Sequence, residues 1–301
     1  MQIQTYNLSI SLHTVKSLII LPALLFLSTI SYAQNQPTDD LPVGSKLWGN
    51  TSLEWKFAEK FSVFFEPMFG YNLTKRRMQF AQTDLKFYYR PNKITTLGLS
   101  YKPMFIYGNN GLTRFDRAYA EVVLRHYIWK IRVKQTIFAE GFFPNLPKYR
   151  YRFCYGLNIY SPKQFTKIKL TPFIKGEVYY YLGGDPVSYY GYDADNDAYL
   201  LAKNAPNDFH RFRFVGGVTS KPTSFMRVTF YYLYQREFNT PFTTNRGLNV
   251  LSKGQNFYKI PFNNFHTLGF EIEFVVKNKN KNKNKKKEVE NDEFTAPRFK
   301  F

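Results

Sequence analysis

The sequence predicts an all-β protein, an antiparallel transmembrane β-barrel of about 10–12 strands. Three observations support this fold class: an N-terminal apolar segment typical of exported proteins, repeated segments in which apolar and polar residues alternate, and an aromatic content of 19%. No apolar run of spanning length follows residue 33, which argues against a helical membrane protein. The strands of a barrel alternate apolar and polar residues, so a search for long apolar runs does not detect them.

The segment 82–90, QTDLKFYYR, shows the alternation most clearly. Leu85 and Phe87 fall on one parity, while Asp84 and Lys86 fall on the other, so a strand here has one apolar and one charged face. The pattern has two interpretations. In a soluble sheet protein the apolar face packs a core, whereas in a membrane barrel it meets lipid and the charged face lines the interior.

The N-terminal segment indicates export. Lys16 precedes the apolar run SLIILPALLFLSTISYA, which ends in small residues and is too short for a comfortable spanning helix. We interpret it as a signal peptide cleaved near Ala33, with an N-terminal membrane anchor as the alternative. The predicted organisation is a signal peptide at 1–33, an N-terminal linker at 34–45, an outer-membrane β-barrel at 46–276 and a Lys/Asn-rich disordered tail at 277–301.

The cysteine count and the net charge limit the class of protein. Cys154 is the only cysteine, so the chain has no internal disulfide and the sheet itself must provide stability. Of the formal charge of +20, residues 1–33 hold +1 and residues 277–301 hold +5, which leaves +14 on residues 34–276. This excess favours anionic neighbours such as lipid headgroups, lipopolysaccharide or acidic solutes. Nucleic acid is not expected as a partner of an exported protein.

Alternating segments recur along the rest of the chain. In the strand interiors the apolar parity contains no Asp, Glu, Lys or Arg. We predict eleven strands at 46–57, 61–73, 79–90, 95–105, 117–127, 131–143, 150–160, 167–181, 209–220, 226–237 and 265–276.

The second parity of these strands holds the charged residues, with acids and bases interleaved. Interleaving suits a narrow interior in which opposite charges pair, because an unpaired charge in a confined space is costly. A solvated outer face is the alternative. The residues predicted to line a lumen are Glu66, Asp84, Lys86, Arg90, Glu121, Arg125, Arg132, Lys134, Glu140, Arg152, Lys175, Glu177, Arg211, Arg213, Arg227, Glu271 and Glu273.

The connections between the predicted strands alternate in length. Outer-membrane barrels show this asymmetry, with short periplasmic turns and long outer loops. The short links are 58–60, 91–94, 128–130 and 221–225, and the longer ones lie near 106–116, 144–149, 182–208 and 238–264.

Two features conflict with a regular barrel. Pro67, Pro103 and Pro172 fall within strands, where a proline removes a ladder hydrogen bond, so bulges or breaks are expected there. Eleven strands are also an odd number, which predicts either a missed strand in 34–45 or 240–262 or a mispaired segment.

Aromatic residues cluster near the predicted strand ends. Rings at these positions suit the interfacial girdles of a membrane barrel, although aromatic residues also favour strands in general. The residues concerned are Trp48, Tyr71, Tyr88, Tyr89, Tyr101, Phe105, Tyr127, Trp129, Phe142, Phe143, Tyr160, Tyr179, Tyr180 and Tyr181.

Catalytic and metal sites are not expected. An outer-membrane lipid hydrolase needs a serine beside a histidine, and His126, His210 and His266 have no serine at a neighbouring position on the same face. A pairing across strands stays open. The DADND stretch within 182–208 lacks the Gly and the distal Glu of a calcium loop. We therefore predict no enzyme activity, no metal and no cofactor.

Four segments indicate a relationship to a known family: KLWGNTSLEWKFAEKFSVFFEP, RFDRAYAEVVLR, YRYRFCYGLNIY and FHRFRFVGGV. With them, the chain resembles the bacterial outer-membrane β-barrel family called domain of unknown function 2490 (DUF2490) over about residues 45–276. The resemblance implies a signal peptide, a tryptophan-bearing first strand and arginines that begin strands after loops. It implies no activity, and no catalytic residue follows from it.

The leading functional hypothesis is a narrow channel for small anionic solutes in the bacterial outer membrane, with the charged parity as its lining. The alternative is a non-conducting barrel with a structural role or with a binding role through loops 182–208 and 238–264. A soluble exported β-sheet protein and an outer-membrane lipid hydrolase are weaker alternatives. The expected partners are outer-membrane lipid, lipopolysaccharide and small solutes.

Overall fold

The computed structural model describes residues 44–108, 111–166, 168–193, 198–239 and 262–277. The signal peptide, linker residues 34–43, the missed strand considered in 240–261 and the tail beyond Lys277 lie outside the described residues. The elements of the described part are all strands: β1 (Gly44–Lys56), β2 (Phe61–Asn72), β3 (Arg77–Tyr89), β4 (Thr95–Gly108), β5 (Gly111–Ile128), β6 (Ile131–Leu146), β7 (Tyr149–Tyr160), β8 (Thr171–Leu182), β9 (Val187–Asp193), β10 (Ala198–Asn204), β11 (Phe209–Ser220), β12 (Met226–Glu237) and β13 (Phe265–Lys277).

Eleven of these strands form a closed barrel, which confirms the predicted fold class and strand number. Around the barrel the order is β1 to β8, then β11, β12 and β13, while β9 and β10 pair with each other as a separate two-stranded sheet. The prediction of antiparallel pairing is wrong at the closure, where β1 and β13 run parallel from Gly44↔Phe265 to Lys56↔Lys277. An odd number of strands in antiparallel succession makes the first and last strands run in the same direction, so the closing pair must be parallel.

The two ends of the barrel are named here after the first and last residues of β1. The Lys56 end holds the connections 57–60, 90–94, 129–130, 161–170 and 221–225. The Gly44 end holds the connections 73–76 and 147–148, the pairing Gly108↔Gly111, and the residues next to the strand ends at 183–186, 205–208, 238–239 and 262–264.

Two links that were predicted to be long are tight hairpins. The β4–β5 ladder continues to Gly108↔Gly111, and β6 and β7 pair again at Leu146↔Tyr149 after a register shift. The prediction of longer connections near 106–116 and 144–149 is therefore wrong. Aromatic and β-branched residues such as Tyr107 favour strands and extend the ladders beyond the clearest alternation.

The prolines do not bulge their strands. Pro67 pairs with Thr83 in regular register, and the ladder that it interrupts lies on its other side, between β1 and β2. Pro103 likewise pairs with Asp116 and interrupts the β3–β4 ladder, while Pro172 is in register beside the start of β8. Of the expected bulges or breaks, the structure therefore shows an interrupted ladder beside Pro67 and Pro103 and no bulge, because a missing N–H removes a hydrogen bond on one side of a strand only. The register shifts lie at Gly70/Tyr71, Gly141/Leu146 and Phe209/Arg211.

The apolar parity forms the exterior of the barrel. In β3, Leu85 is 50% exposed and Phe87 is 43% exposed, whereas Asp84 is completely buried. The same contrast holds in β1 between the exposed Trp55 and the buried Glu54. This arrangement is the inverse of a soluble sheet, so an apolar face packed in a core is excluded for these strands.

Part of the predicted aromatic girdle lies inside the barrel instead. Side chains that alternate with exterior positions must point inward, whatever their chemistry, and at the Gly44 end several of them pack into one cluster with Cys154. The predicted girdle residues that are buried or line the interior are Trp48, Tyr88, Tyr127, Phe142, Tyr160, Tyr179 and Tyr181.

The Tyr231 ring lies over Gly269 and leaves no room there for a larger residue. A Cβ built on Gly269 would lie 2.0 Å from Cζ of Tyr231, its cross-strand neighbour on β12. We expect Gly269→Ala to lower the free energy of unfolding by about 1–3 kcal/mol, because the Tyr231 ring must leave its position. The measurement is urea unfolding followed by tryptophan fluorescence.

Gly216 provides the matched control for this substitution. It also lies within a barrel strand, but a Cβ there would come no closer than 3.8 Å to the Phe214 ring. Gly216→Ala is expected to be neutral or to stabilise by up to about 1 kcal/mol, because glycine is costly inside a strand. Equal losses for both variants would show that the Tyr231 ring does not determine the effect.

Candidate functional site

The interior of the barrel contains a cavity of about 1300 Å³. Its lining extends from Lys56, Lys93 and Lys221 at the Lys56 end to Ile106 and Lys148 at the Gly44 end. Seventeen Lys and Arg residues and seven Glu residues line it. The cavity thus runs along the barrel and has a strongly basic wall.

The structure brings the predicted lumen residues together around this cavity. Sixteen of the seventeen line it directly. Asp84 is the exception: it points inward but is completely buried beneath Lys86 and Lys102. These positions follow from the inward parity of the strands.

Five inward carboxylates each lie between two cationic side chains. We call these groups the bridged triads; each holds one negative and two positive charges. They are Glu54 with Lys56 and Arg90, Asp84 with Lys86 and Lys102, Glu140 with Arg117 and Arg152, Glu177 with Lys175 and Arg213, and Glu237 with Lys148 and Arg211.

The Asp84 triad spans neighbouring strands. Asp84 Oδ2 lies 3.1 Å from Lys86 Nζ and 2.5 Å from Lys102 Nζ, and the Tyr119 hydroxyl donates to the same oxygen over 3.0 Å. The Ser100 hydroxyl donates to Oδ1. This buried carboxylate is therefore fully satisfied, as a buried charge must be.

The Glu237 triad closes the Gly44 end on one side of the barrel. Arg211 Nη2 lies 2.5 Å from Glu237 Oε1, and the Tyr181 hydroxyl donates to that oxygen over 2.9 Å. Lys148, in the β6–β7 turn, pairs with Oε2, which also accepts the backbone N–H of Asn263 over 2.8 Å. One carboxylate thus joins a turn, a strand and the segment that leads into β13.

Two further triads connect the middle of the wall. Arg152 and Arg117 flank Glu140, with Arg117 Nη1 at 3.8 Å from Glu140 Oε2. In the next triad, the Tyr179 hydroxyl donates to Glu177 over 2.6 Å. Arg213 Nη1 in turn donates to that hydroxyl over 2.9 Å. Tyr179 therefore joins Arg213 to Glu177 by hydrogen bonds in addition to their ion pair.

At the Lys56 end the pairs are more exposed. Arg90 Nη2 lies 2.5 Å from Glu54 Oε1, and the Ser62 hydroxyl donates to the same oxygen over 2.8 Å. Arg227 Nη1 lies 2.6 Å from Glu273 Oε2.

Glu66 and Glu271 differ from the other acids because neither forms a hydrogen bond or an ion pair with any residue that the structure describes. Glu66 lies on β2, while Glu271 and Glu273 lie on β13, with β1 between the two strands. We call these three residues the acidic wall. It lies in the seam where the barrel closes.

Several lining residues were missed by the sequence analysis. Lys102 and Arg117 lie on the charged parity of β4 and β5, so the alternation alone was sufficient to find them. Glu237 does not line the cavity itself, but it ends β12 on the same inward parity as Arg227, so alternation could have found it too. Lys148 lies in the β6–β7 turn, where alternation gives no direction, and no sequence signal would have identified it.

His210 and His266 contact groups other than serine, and His126 Nε2 has no hydrogen-bond partner among the described residues. His210 Nδ1 lies 3.0 Å from the backbone carbonyl of Phe238. The His266 ring contacts the Tyr232 hydroxyl and stacks on Tyr234. Within the described ranges, no group of three or more His, Cys, Asp and Glu residues could hold a metal ion. No described helix is long and apolar enough to cross a membrane.

Fold and site together define a closed β-barrel with an apolar exterior and a charged, hydrogen-bonded interior. A family model described as "Protein of unknown function (DUF2490)" matches residues 45–246, which is more than half of the chain. The chain therefore belongs to the DUF2490 family. A search of curated proteins finds no match.

Proposed function

We propose that the protein is a bacterial outer-membrane barrel that acts as a narrow pore for small anionic solutes. The observation that supports this most strongly is the cavity, in which seventeen bases face seven acids from one end of the barrel to the other. Rings of Arg and Lys select anions in pores, because the anion exchanges water for the field of fixed cations.

The exterior supports a place in the membrane. Large apolar side chains cover the outer face of the strands, including Leu99 at 64% exposed and Phe230 at 57% exposed. Aromatic side chains are exposed towards both ends, as with Trp55 near the Lys56 end and Phe69 and Phe143 near the Gly44 end. An apolar band with aromatic borders is what lipid and headgroups require of a barrel. Outer-membrane lipid and lipopolysaccharide are the proposed neighbours of this surface.

The bridged triads are not neutral, and their net positive charge supports anion selectivity. Each triad keeps one excess positive charge after its internal ion pairs form. The pairing fixes the side chains, and the excess charge remains as a field in the lumen. The excess positive charge favours a small anion over a cation in the lumen.

The test has two stages. Heat-modifiability of the purified outer-membrane fraction should show that the folded barrel migrates differently from the boiled protein, because a closed ladder resists detergent. In planar bilayers under a KCl gradient, the reversal potential should have the sign of chloride permeation. A cation-selective potential would contradict the proposal, and so would a soluble protein without a gel shift.

The packed Gly44 end favours a second candidate, a barrel that binds solute without conducting. Phe142, Tyr149, Tyr181 and His210 are almost completely buried there, so part of the interior is filled by protein. This candidate predicts the same gel shift with no current in any salt. The proposal includes no catalytic step in either case.

A further inference from the structure

Three cations lie in one row along the wall of the cavity. Arg125 pairs with Lys134 across β5 and β6, Lys134 pairs with Asn158 across β6 and β7, and Asn158 pairs with Lys175 across β7 and β8. All four residues line the cavity. We call Arg125, Lys134 and Lys175 the cationic row. Because neighbouring strands lie about 4.8 Å apart, the backbone positions of the row span about 14 Å.

The outer members of the row have partners within the protein. Arg125 Nη1 donates to the Thr96 hydroxyl over 2.6 Å, and Lys175 pairs with Glu177. Lys134, the middle member, has no hydrogen bond, ion pair or ring contact within the described part of the chain. A cation held between two other cations in a confined space is costly unless an anion joins it.

The acidic wall lies opposite the row. Counted around the closed barrel, β6 and β7 are each five strands away from β1, the strand between the members of the acidic wall. Glu273 is paired with Arg227, and Glu121 lies on the same strand as Arg125, but the row still gives its side of the lumen the larger excess of positive charge. An anion that enters the cavity has one preferred side.

We propose that the cationic row is a binding site for a small oxyanion with two negative charges, such as a phosphate or a dicarboxylate. Lys134 supplies the free ammonium, and Arg125 and Lys175 flank it with positive charge. Singly charged chloride gains less from the same row, since the attraction scales with charge. This inference rests on the proposed anion-accepting lumen, but it does not require conduction.

The experiment uses the full chain in detergent and inorganic phosphate as the probe. The midpoint of thermal unfolding is measured against phosphate concentration and against chloride at matched ionic strength, since a ligand of the folded state raises the midpoint. Phosphate should stabilise the wild-type protein more than chloride does. Lys134→Gln should weaken the apparent phosphate affinity about tenfold or more, the effect of losing one charge-assisted hydrogen bond.

Two further variants make the result specific. Lys60→Gln removes the same charge from the exposed β1–β2 turn, outside the cavity lining, and should leave phosphate affinity within about twofold of wild type. Lys134→Arg keeps the charge and should restore binding. If Lys134→Gln does not fold, Arg125→Gln is measured in its place, with weakened phosphate binding again expected.

The outcomes separate this inference from the proposed function. Phosphate binding that depends on Lys134, in a barrel that passes no current, would support the site and contradict the pore. Anion-selective current with equal phosphate affinity in wild type and Lys134→Gln would support the pore and overturn the site. Stabilisation by phosphate that is no greater than by chloride would also overturn the site.

Discussion

Glu237→Gln is expected to lower the free energy of unfolding by about 3–5 kcal/mol, because it leaves two cations without their shared counter-charge in a fully buried position. Glu237 is 1% exposed and lies between Arg211 and Lys148. Glutamine has nearly the same shape, and its single acceptor oxygen can accept the Asn263 N–H while its amide N–H donates to the Tyr181 hydroxyl, so the loss reports the charge rather than the shape. Unfolding in urea, followed by the electrophoretic shift of the folded form, measures it.

Glu59→Gln is the matched control for this substitution. Glu59 lies exposed in the β1–β2 turn, so the same chemical change there should alter stability by no more than about 0.5 kcal/mol. Adding Lys148→Met to Glu237→Gln removes one of the two cations that shared the Glu237 carboxylate. The double variant should recover part of the lost free energy of unfolding. If the double variant is as unstable as Glu237→Gln, repulsion between Lys148 and Arg211 is not the cause.

Leu99→Lys is expected to lower the free energy of unfolding by about 2–4 kcal/mol if the outer face meets the middle of a bilayer, because a charged side chain is costly in the hydrocarbon core. In water the same change at a surface position would stay within about 0.5 kcal/mol. Leu99 is 64% exposed on β4, between Phe87 and Ala120 of the neighbouring strands. Folding titrations into lipid vesicles in increasing urea distinguish the two values.

The control for Leu99→Lys is Trp129→Lys. Trp129 is 89% exposed in the turn between β5 and β6, outside the strands. A lysine there lies at the depth of the headgroups and should cost far less than one at position 99. A negligible cost for Leu99→Lys would contradict the proposed membrane location, even if the barrel itself folds.

The alternation of side chains was readable along the chain because it is a local property. Leu85 and Asp84 are neighbours in sequence, and a strand sends neighbours to opposite faces wherever it lies. The same rule placed sixteen of the predicted lumen residues on the cavity wall. It also covers Lys102 and Arg117, which lie on the inward parity within the predicted strands 95–105 and 117–127 but were not among the residues predicted to line the lumen.

Aromatic residues show where local reasoning was insufficient. Trp48 and Tyr181 were assigned to an interfacial girdle from their positions near strand ends, yet both lie inside the barrel. An aromatic ring satisfies an interface and a packed interior equally well, so composition cannot choose between them. Whether a ring meets the interface or the interior is decided by the face of the strand on which its residue falls.

The sequence by itself determined the strands, their two faces and the excess of positive charge, because each depends on residue type and a spacing of two along one strand. Only the tertiary structure decided the rest. It set the parallel closure of β1 on β13, which joins residues that are more than two hundred positions apart in sequence. It also grouped the bridged triads and left Lys134 without a hydrogen bond or ion pair among the described residues. Which charges meet depends on strand register and on the closing of the curved sheet, and neither is contained in the alternation of a single strand.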